Sequence, residues 1–210
     1  MLCDEPVIYI VDDDVGVRES LQCLLEEAGW RVVAFASALE FLRYCRPFAP
    51  GCLILDLSLP DLNGLELQRR LVRDRYAMPI IFVTGHGDIP TTVQAMKAGA
   101  VEFLTKPFRT EVLLSAVEGA IERSRASLNG QADLQVLRER HGRLSRRERE
   151  VMALVVRGQL NKQVGGQLGI SEITVKSHRG RVMRKMQARS FVDLVNMAAR
   201  LSVTSAAMLI

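Results

Sequence analysis

Four short apolar runs punctuate the first half of the chain: Val7-Ile8-Tyr9-Ile10-Val11, Cys52-Leu53-Ile54-Leu55, Pro79-Ile80-Ile81-Phe82-Val83 and Val101-Glu102-Phe103-Leu104. Polar residues bound each run, and helix-length amphipathic stretches separate them, a pattern that predicts buried parallel strands. The residues that close the runs carry the chemistry: Asp12-Asp13, Asp56, Thr84-Gly85 and Lys106-Pro107. In an open parallel sheet the carboxyl ends of the strands line one crevice, where ligands bind. Three carboxylates, a hydroxyl and an ammonium are therefore expected on one rim, a composition suited to a divalent cation and a phosphoryl group.

The second half has helical periodicity with clear stops. Ser145 caps a helix that starts near Arg146, and Glu148 stands three residues on, as in a capping box. Its apolar face carries Val151, Leu154 and Val155, and Gly158 ends it. A short helix over about Asn161 to Leu168 stops at Gly169. Ser171 caps a third helix running to about Met186, with Ile173, Val175, Val182, Met183 and Met186 as its apolar positions. A last helix, about Phe191 to Leu201, packs through Leu194, Val195 and Ala198. A short helix, a glycine-containing turn and a basic helix make a helix-turn-helix. On the basic helix Lys176, Arg179 and Lys185, with Ser177, His178, Arg181 and Arg184, lie largely opposite the apolar positions.

Charge separates the two halves. Residues 1–123 hold 12 Lys and Arg against 18 Asp and Glu, a net of −6, whereas residues 124–210 hold 16 against 6, a net of +10. An acidic half joined to a strongly basic one predicts that the second binds a polyanion. At the junction Ser124, Ser127, Asn129 and Gly130 interrupt the helical pattern of Val112, Val117 and Ile121, and Leu134 and Leu137 resume it. A partly helical linker is expected there. The length of 210 residues suits two modest domains as well as one large one.

Other features narrow the class. No segment approaches the apolar length of a membrane span, and Met1 to Pro6 lacks the basic start and apolar stretch of a signal peptide. Cys3, Cys23, Cys45 and Cys52 lack metal-like spacing and are expected as free thiols in a reducing cytoplasm, with Cys23 and Cys52 buried. The scattered His86, His141 and His178 suggest no metal cluster.

The acids dictate the expected chemistry. Clustered carboxylates repel one another, and hard oxygen ligands suit Mg²⁺. With such an ion bound, Asp56 is placed to act as a nucleophile toward phosphorus. Lys106 and Thr84 can then neutralise the phosphoryl oxygens. An Asp nucleophile with Mg²⁺ also serves haloacid-dehalogenase-type phosphatases, but those carry a second acid two residues on, where this chain has Ser58. RNA binding by the basic half is disfavoured because its one aromatic, Phe191, offers no stacking platform.

Residues about 5 to 123 resemble a two-component receiver domain. The matching pieces are Val11-Asp12-Asp13, Leu55-Asp56-Leu57-Ser58-Leu59-Pro60-Asp61-Leu62-Asn63-Gly64, Val83-Thr84-Gly85-His86-Gly87-Asp88 and Lys106-Pro107-Phe108. The wording around Gly85 to Pro90 and Ala95 to Ala100 is nearest to the FixJ-like branch of the NarL/FixJ group. The resemblance implies a five-stranded parallel, flavodoxin-like doubly wound sheet. It implies that Asp56 accepts a phosphoryl group from a sensor histidine kinase, and that Asp13, Asp56 and the Ser58 backbone carbonyl bind Mg²⁺ (or Mn²⁺) directly, with Asp12 acting through water. It further implies a cis Lys106-Pro107 peptide, movement of Thr84 toward the phosphoryl group and inward turning of Phe103. His86 could influence water access to the phosphoaspartate, or be an ordinary exposed loop residue; Asp14 receives no role.

The basic half resembles a LuxR-type four-helix DNA-binding domain over most of residues 140 to 201. The matching pieces are Leu144-Ser145-Arg146-Arg147-Glu148-Arg149-Glu150-Val151, Asn161-Lys162, Leu168-Gly169-Ile170-Ser171, Thr174-Val175-Lys176-Ser177-His178 and Lys185-Met186. The resemblance implies contacts to double-stranded DNA from Lys162, Thr174, Lys176, Ser177, His178, Arg179, Arg181 and Lys185, and a last helix able to mediate dimerisation. Gly165-Gly166 departs from the family pattern, and each glycine could cost a short helix about 1 kcal/mol relative to Ala, predicting fraying. The expected organisation is a receiver over 1–123, a linker over 124–143 and an all-α helix-turn-helix domain over 144–210. The expected function is a phosphorylation-activated transcription regulator, a homodimer when phosphorylated. It is expected to act with RNA polymerase as an activator, without a membrane partner.

Overall fold

The computed structural model describes residues 5–74, 76, 78–85 and 87–206, with side chains described through residue 201. His86 and Cys3, singled out above, lie outside the described residues. The chain divides into two compact units, residues 1–129 and 130–210.

The first unit is a five-stranded parallel sheet in the order β2-β1-β3-β4-β5. Its strands are β1 (Val7–Val11), β2 (Arg31–Phe35), β3 (Gly51–Leu55), β4 (Ile80–Thr84) and β5 (Glu102–Thr105). Helices α1 (Val15–Glu27), α2 (Ala38–Arg43), α3 (Gly64–Arg73) and α4 (Ile89–Lys97) connect them, and α5 (Thr110–Gly142) follows β5. The near-continuous apolar runs reflect burial on both faces. Val7, Tyr9 and Val11 of β1 face a core with Phe41, Leu67 and Ala95 from α2, α3 and α4. Ile8 and Ile10 face the opposite core, with Leu21 and Leu25 of α1 and Leu113, Val117 and Ile121 of α5.

One strand escaped the sequence pattern. β2 pairs only with β1, from Val7 against Arg31 to Val11 against Phe35. As an edge strand it buries Phe35 fully, Val32, Val33 and Ala34 partly, and Arg31 not at all, so it lacks the apolar contrast of its neighbours.

Helix α5 also departs from expectation. It is continuous over 33 residues, through Ser127, Asn129 and Gly130, where an interruption was expected. Extending a helix past one glycine costs about 1 kcal/mol, whereas ending and renucleating it costs more. Ser124 on this helix is buried, and its hydroxyl accepts a hydrogen bond from the Gly51 amide at 3.0 Å.

The second unit holds α6 (Arg146–Val155), α7 (Asn161–Leu168), α8 (Glu172–Met186) and α9 (Phe191–Ala206) around Leu137, Leu144, Val151, Val155, Val164, Val175, Val182, Met186 and Leu194. The capping box is formed in both directions: Ser145 Oγ accepts from the Glu148 amide at 3.2 Å, and Glu148 Oε2 accepts from the Ser145 amide at 2.8 Å. Gly169, at φ 66°, closes α7 in the left-handed conformation. Ile173 is a correction: expected in the core, it is 82% exposed.

Helix α7 forms through both glycines, contrary to the predicted fraying. A Cβ at Gly165 would lie 2.7 Å from the Ile170 carbonyl oxygen, so the turn after α7 packs directly on that backbone. Gly166 faces open space. Gly166→Ala should therefore stabilise the second unit by about 1 kcal/mol, and Gly165→Ala should destabilise it. Urea unfolding of the full-length chain checks both signs.

Candidate functional site: an acidic rim and a basic helix

The strand order brings β1, β3, β4 and β5 side by side, so their carboxyl ends form one rim. Asp12, Asp13 and Asp56 each offer a carboxylate oxygen within 4.8 Å of the others. Asp12 is 2% and Asp56 8% exposed, whereas Asp13 faces solvent. Lys106 Nζ sits 2.7 Å from Asp12 Oδ2 and 3.9 Å from Asp56 Oδ2. Asp12 is held further by the Asp14 amide, which donates to its Oδ1 at 3.0 Å, while Arg18 donates to its backbone carbonyl at 2.7 Å. Burial pushes the Asp12 carboxyl above its ordinary range, against the opposing pull of Lys106. Such hard oxygen ligands at partial burial fit a divalent cation of the Mg²⁺ class.

The remaining predicted rim residues lie nearby in the fold. Thr84 ends β4 and is 1% exposed. Ser58 is exposed in the loop after β3, its amide 3.4 Å from Asp56 Oδ1. The Lys106-Pro107 peptide is cis. The Phe103 ring is partly buried, 6.0 Å from the Phe82 ring. A Cβ at Gly87 would lie 2.8 Å from the Phe103 ring, so the loop after β4 touches that ring only because residue 87 has no side chain.

On α8 the exposed residues are Glu172, Ile173, Lys176, Ser177, Gly180, Arg181, Arg184 and Lys185. All but Glu172 and Lys185 fall on one stripe of spacing three and four, opposite buried Val175, Val182 and Met186. Other candidates are turned elsewhere. Arg179 Nη1 donates to Asn161 Oδ1 at 2.6 Å, with its guanidinium 5.5 Å from the Phe191 ring centre. Thr174 caps locally with Ser171, and His178 is half-buried with Nδ1 shielded. Lys185 donates to Glu148 Oε2 at 2.6 Å and to the Arg143 carbonyl at 3.2 Å. Lys162 is exposed near the start of α7.

Comparison with known proteins matches both units. The response regulator receiver domain matches residues 8–118, and the bacterial regulatory proteins of the luxR family match residues 142–198. The chain belongs to the response regulators. It is 49% identical to nodulation protein W of Bradyrhizobium diazoefficiens, over 95% of this chain and 88% of that one. It is 44% identical to the transcriptional regulatory protein FixJ of Rhizobium meliloti, over 91% and 94%. The solved structure of the response regulator StyR is 43% identical, covers 93% of this chain and 99% of its own, and superposes with a TM-score of 0.80. This response regulator is thus a two-component transcription regulator of the NarL/FixJ group, not an enzyme, with a histidine kinase and DNA as partners.

Some supporting residues of the regulator were not legible beforehand. Asp14, given no role, caps α1, its side chain accepting from the Val17 amide at 3.1 Å. Asp61, in the loop after Asp56, accepts from the first amides of α2, Leu39 at 2.8 Å and Ala38 at 3.3 Å. An Asp shortly before a helix was the available signal for the first; the second contact spans 22 residues and left none. Cys23 is exposed, contrary to expectation, and Cys52 is buried, its thiol pushed up to about 12 by burial. Among the described residues no helix is long and apolar enough to cross a membrane.

The Glu148–Lys185 pair is where the DNA-contact expectation meets the core. Glu148 is 3% exposed, and the Lys185 ammonium and the Ser145 amide hold its carboxyl below the ordinary range. A depressed folded pKa contributes stability that is complete above the unfolded value of about 4.5 and is lost as pH falls through the folded one. Lys185→Ala should cost about 1–2 kcal/mol, discounted for the partly exposed ammonium, by stranding a buried carboxylate. Urea unfolding at neutral pH should show that loss, and it should shrink as pH falls below 4.5. The salt dependence of DNA binding should stay near wild type.

Proposed function

We propose that Asp56 accepts a phosphoryl group from the phosphohistidine of a sensor histidine kinase. The observation that carries this is a partly shielded carboxylate at the end of β3, with the Lys106 ammonium 3.9 Å away and two more acids within 4.8 Å. A bond forms between an Asp56 oxygen and phosphorus as the phosphorus–nitrogen bond breaks, and the imidazole leaves with the electron pair. Lys106 and the Thr84 hydroxyl stabilise the phosphoryl oxygens. Asp13, Asp56 and the Ser58 carbonyl would hold Mg²⁺ or Mn²⁺, with Asp12 acting through water. The ion, when bound, supplies charge neutralisation to the acids and to the incoming group.

Phosphorylation draws Thr84 toward Asp56 and Phe103 inward, shifting a two-state equilibrium toward receiver dimers. The receiver spans 1–123, the linker 124–143 and the DNA-binding domain 144–210. Lys162, Lys176, Ser177 and Arg181 contact double-stranded DNA, with Thr174, His178 and Arg179 supporting the helix that carries them. The dimer acts with RNA polymerase in the cytoplasm as an activator.

Treatment with acetyl phosphate and Mg²⁺ should add one phosphoryl mass at Asp56 and convert the chain to a dimer. Asp56→Asn should abolish both, read by intact-mass spectrometry and light scattering; donor-dependent dimerisation of that variant would sink the reading. Mg²⁺ alone should raise the melting temperature of the wild type, because it binds only the folded rim, and should do so far less in Asp13→Asn.

A further inference from the structure

Among the described residues of the second unit the most exposed large apolar side chain is Ile173, at 82%, and it sits on the helix that carries the DNA-facing cations. At roughly 100° per residue, the 3.6-residue turn puts Ile173, Lys176, Ser177, Gly180, Arg181 and Arg184 within an arc of about 140°. Ile173 lies near the middle of that arc, opposite the fully buried Val182. It is the second residue of α8, whose first is Glu172. In a helix-turn-helix the N-terminal residues of this helix meet base edges in the major groove. There one base presents an apolar group: thymine, through its 5-methyl.

Resting on the DNA-binding reading of α8, we propose that Ile173 is a specificity-determining residue that packs on a thymine 5-methyl group in the major groove. The placement fits the chemistry. A branched aliphatic side chain has no donor or acceptor for a base edge or a phosphate, and the stripe around it supplies both through Lys176 and Ser177. Covering the side chain with a methyl group removes apolar surface of both partners from water, a contribution independent of salt. Gly180, two turns on along the same stripe, has no atom within 4 Å of where a Cβ would stand, leaving the helix free to lie close to the groove floor.

The test uses duplex sites selected from random DNA by the full-length chain treated with acetyl phosphate and Mg²⁺. Each thymine in the selected site is then replaced by deoxyuridine, which removes only the methyl group. At one thymine position per half-site the replacement should weaken wild-type binding about fourfold, the effect of exposing one methyl-sized group. Ile173→Ala should weaken binding to the thymine site by a similar factor and should be indifferent to uridine at that position. An Ile173→Ala effect equal on thymine and uridine sites, or no thymine whose methyl matters, overturns the proposal while leaving DNA binding intact. Failure of the wild type to select any sequence would overturn the DNA-binding reading itself, and this inference with it. Because Ile173 is 82% exposed, circular dichroism of the variant should match the wild type.

Discussion

The ion pair between Lys106 and buried Asp12, 2.7 Å long with Asp56 close by, is the interaction around which the acidic rim is organised. Three carboxylates share the rim, and within it one ammonium lies within ion-pair distance of two of them. Lys106 pairs tightly with Asp12 and stands 3.9 Å from Asp56, where it offsets part of the rim's negative charge while pairing mainly with Asp12. Even so, burial prevails at Asp12, whose carboxyl is pushed upward. A site so poor in positive charge gains most from a bound cation or a ligand that brings one. The strands hold this arrangement because their cores on both sheet faces are closed, leaving the carboxylates little room to separate.

The same economy of charge operates in the second unit, with a different result. Glu148 is buried at the start of α6 and takes Lys185 from the surface of α8 as its partner. Arg179 is likewise drawn to Asn161 and Phe191. The 16 Lys and Arg over residues 124–210 therefore overstate the cations available to a polyanion, because some of them serve to satisfy groups within the domain. Breaking a buried pair leaves an uncompensated charge, so residues of this kind act on stability before they act on binding.

What the sequence revealed follows from contrast. Strands β1, β3 and β4 stood out because all their residues are buried, and β5 stood out through Phe103 and Leu104 although only Leu104 is buried; the acids that follow β1 and β3 lie where a parallel sheet puts its ligands. β2 did not stand out because an edge strand half covered by solvent contains Arg31 and Ala34. The helix stops were readable at Gly158 and Gly169 but not at Gly130, because glycine ends a helix only where the backbone takes a positive φ, as the first two do. The segment from Asn129 to Asp133 is exposed on all sides, so its helical state rests on its flanking turns and not on burial. Ile173 was misread for a simpler reason. A binary pattern assigns every apolar position to a core, and a functional surface is where that rule gives way.

The stripe on α8 shows why an apolar member matters there. On the proposed reading, Lys176, Arg181 and Arg184 would bring affinity that falls with salt and is nearly the same on any duplex when spent on phosphates. Base discrimination needs groups whose gain depends on what the base edge displays. Ser177 can donate or accept and so tolerates several edges. Ile173 can do neither: an amide or carbonyl opposite it would lose water without gaining a partner, at a cost of about 1–3 kcal/mol. On the proposed reading, its contribution to specificity joins packing on a thymine methyl to rejection of polar edges, which cations on the same helix cannot provide.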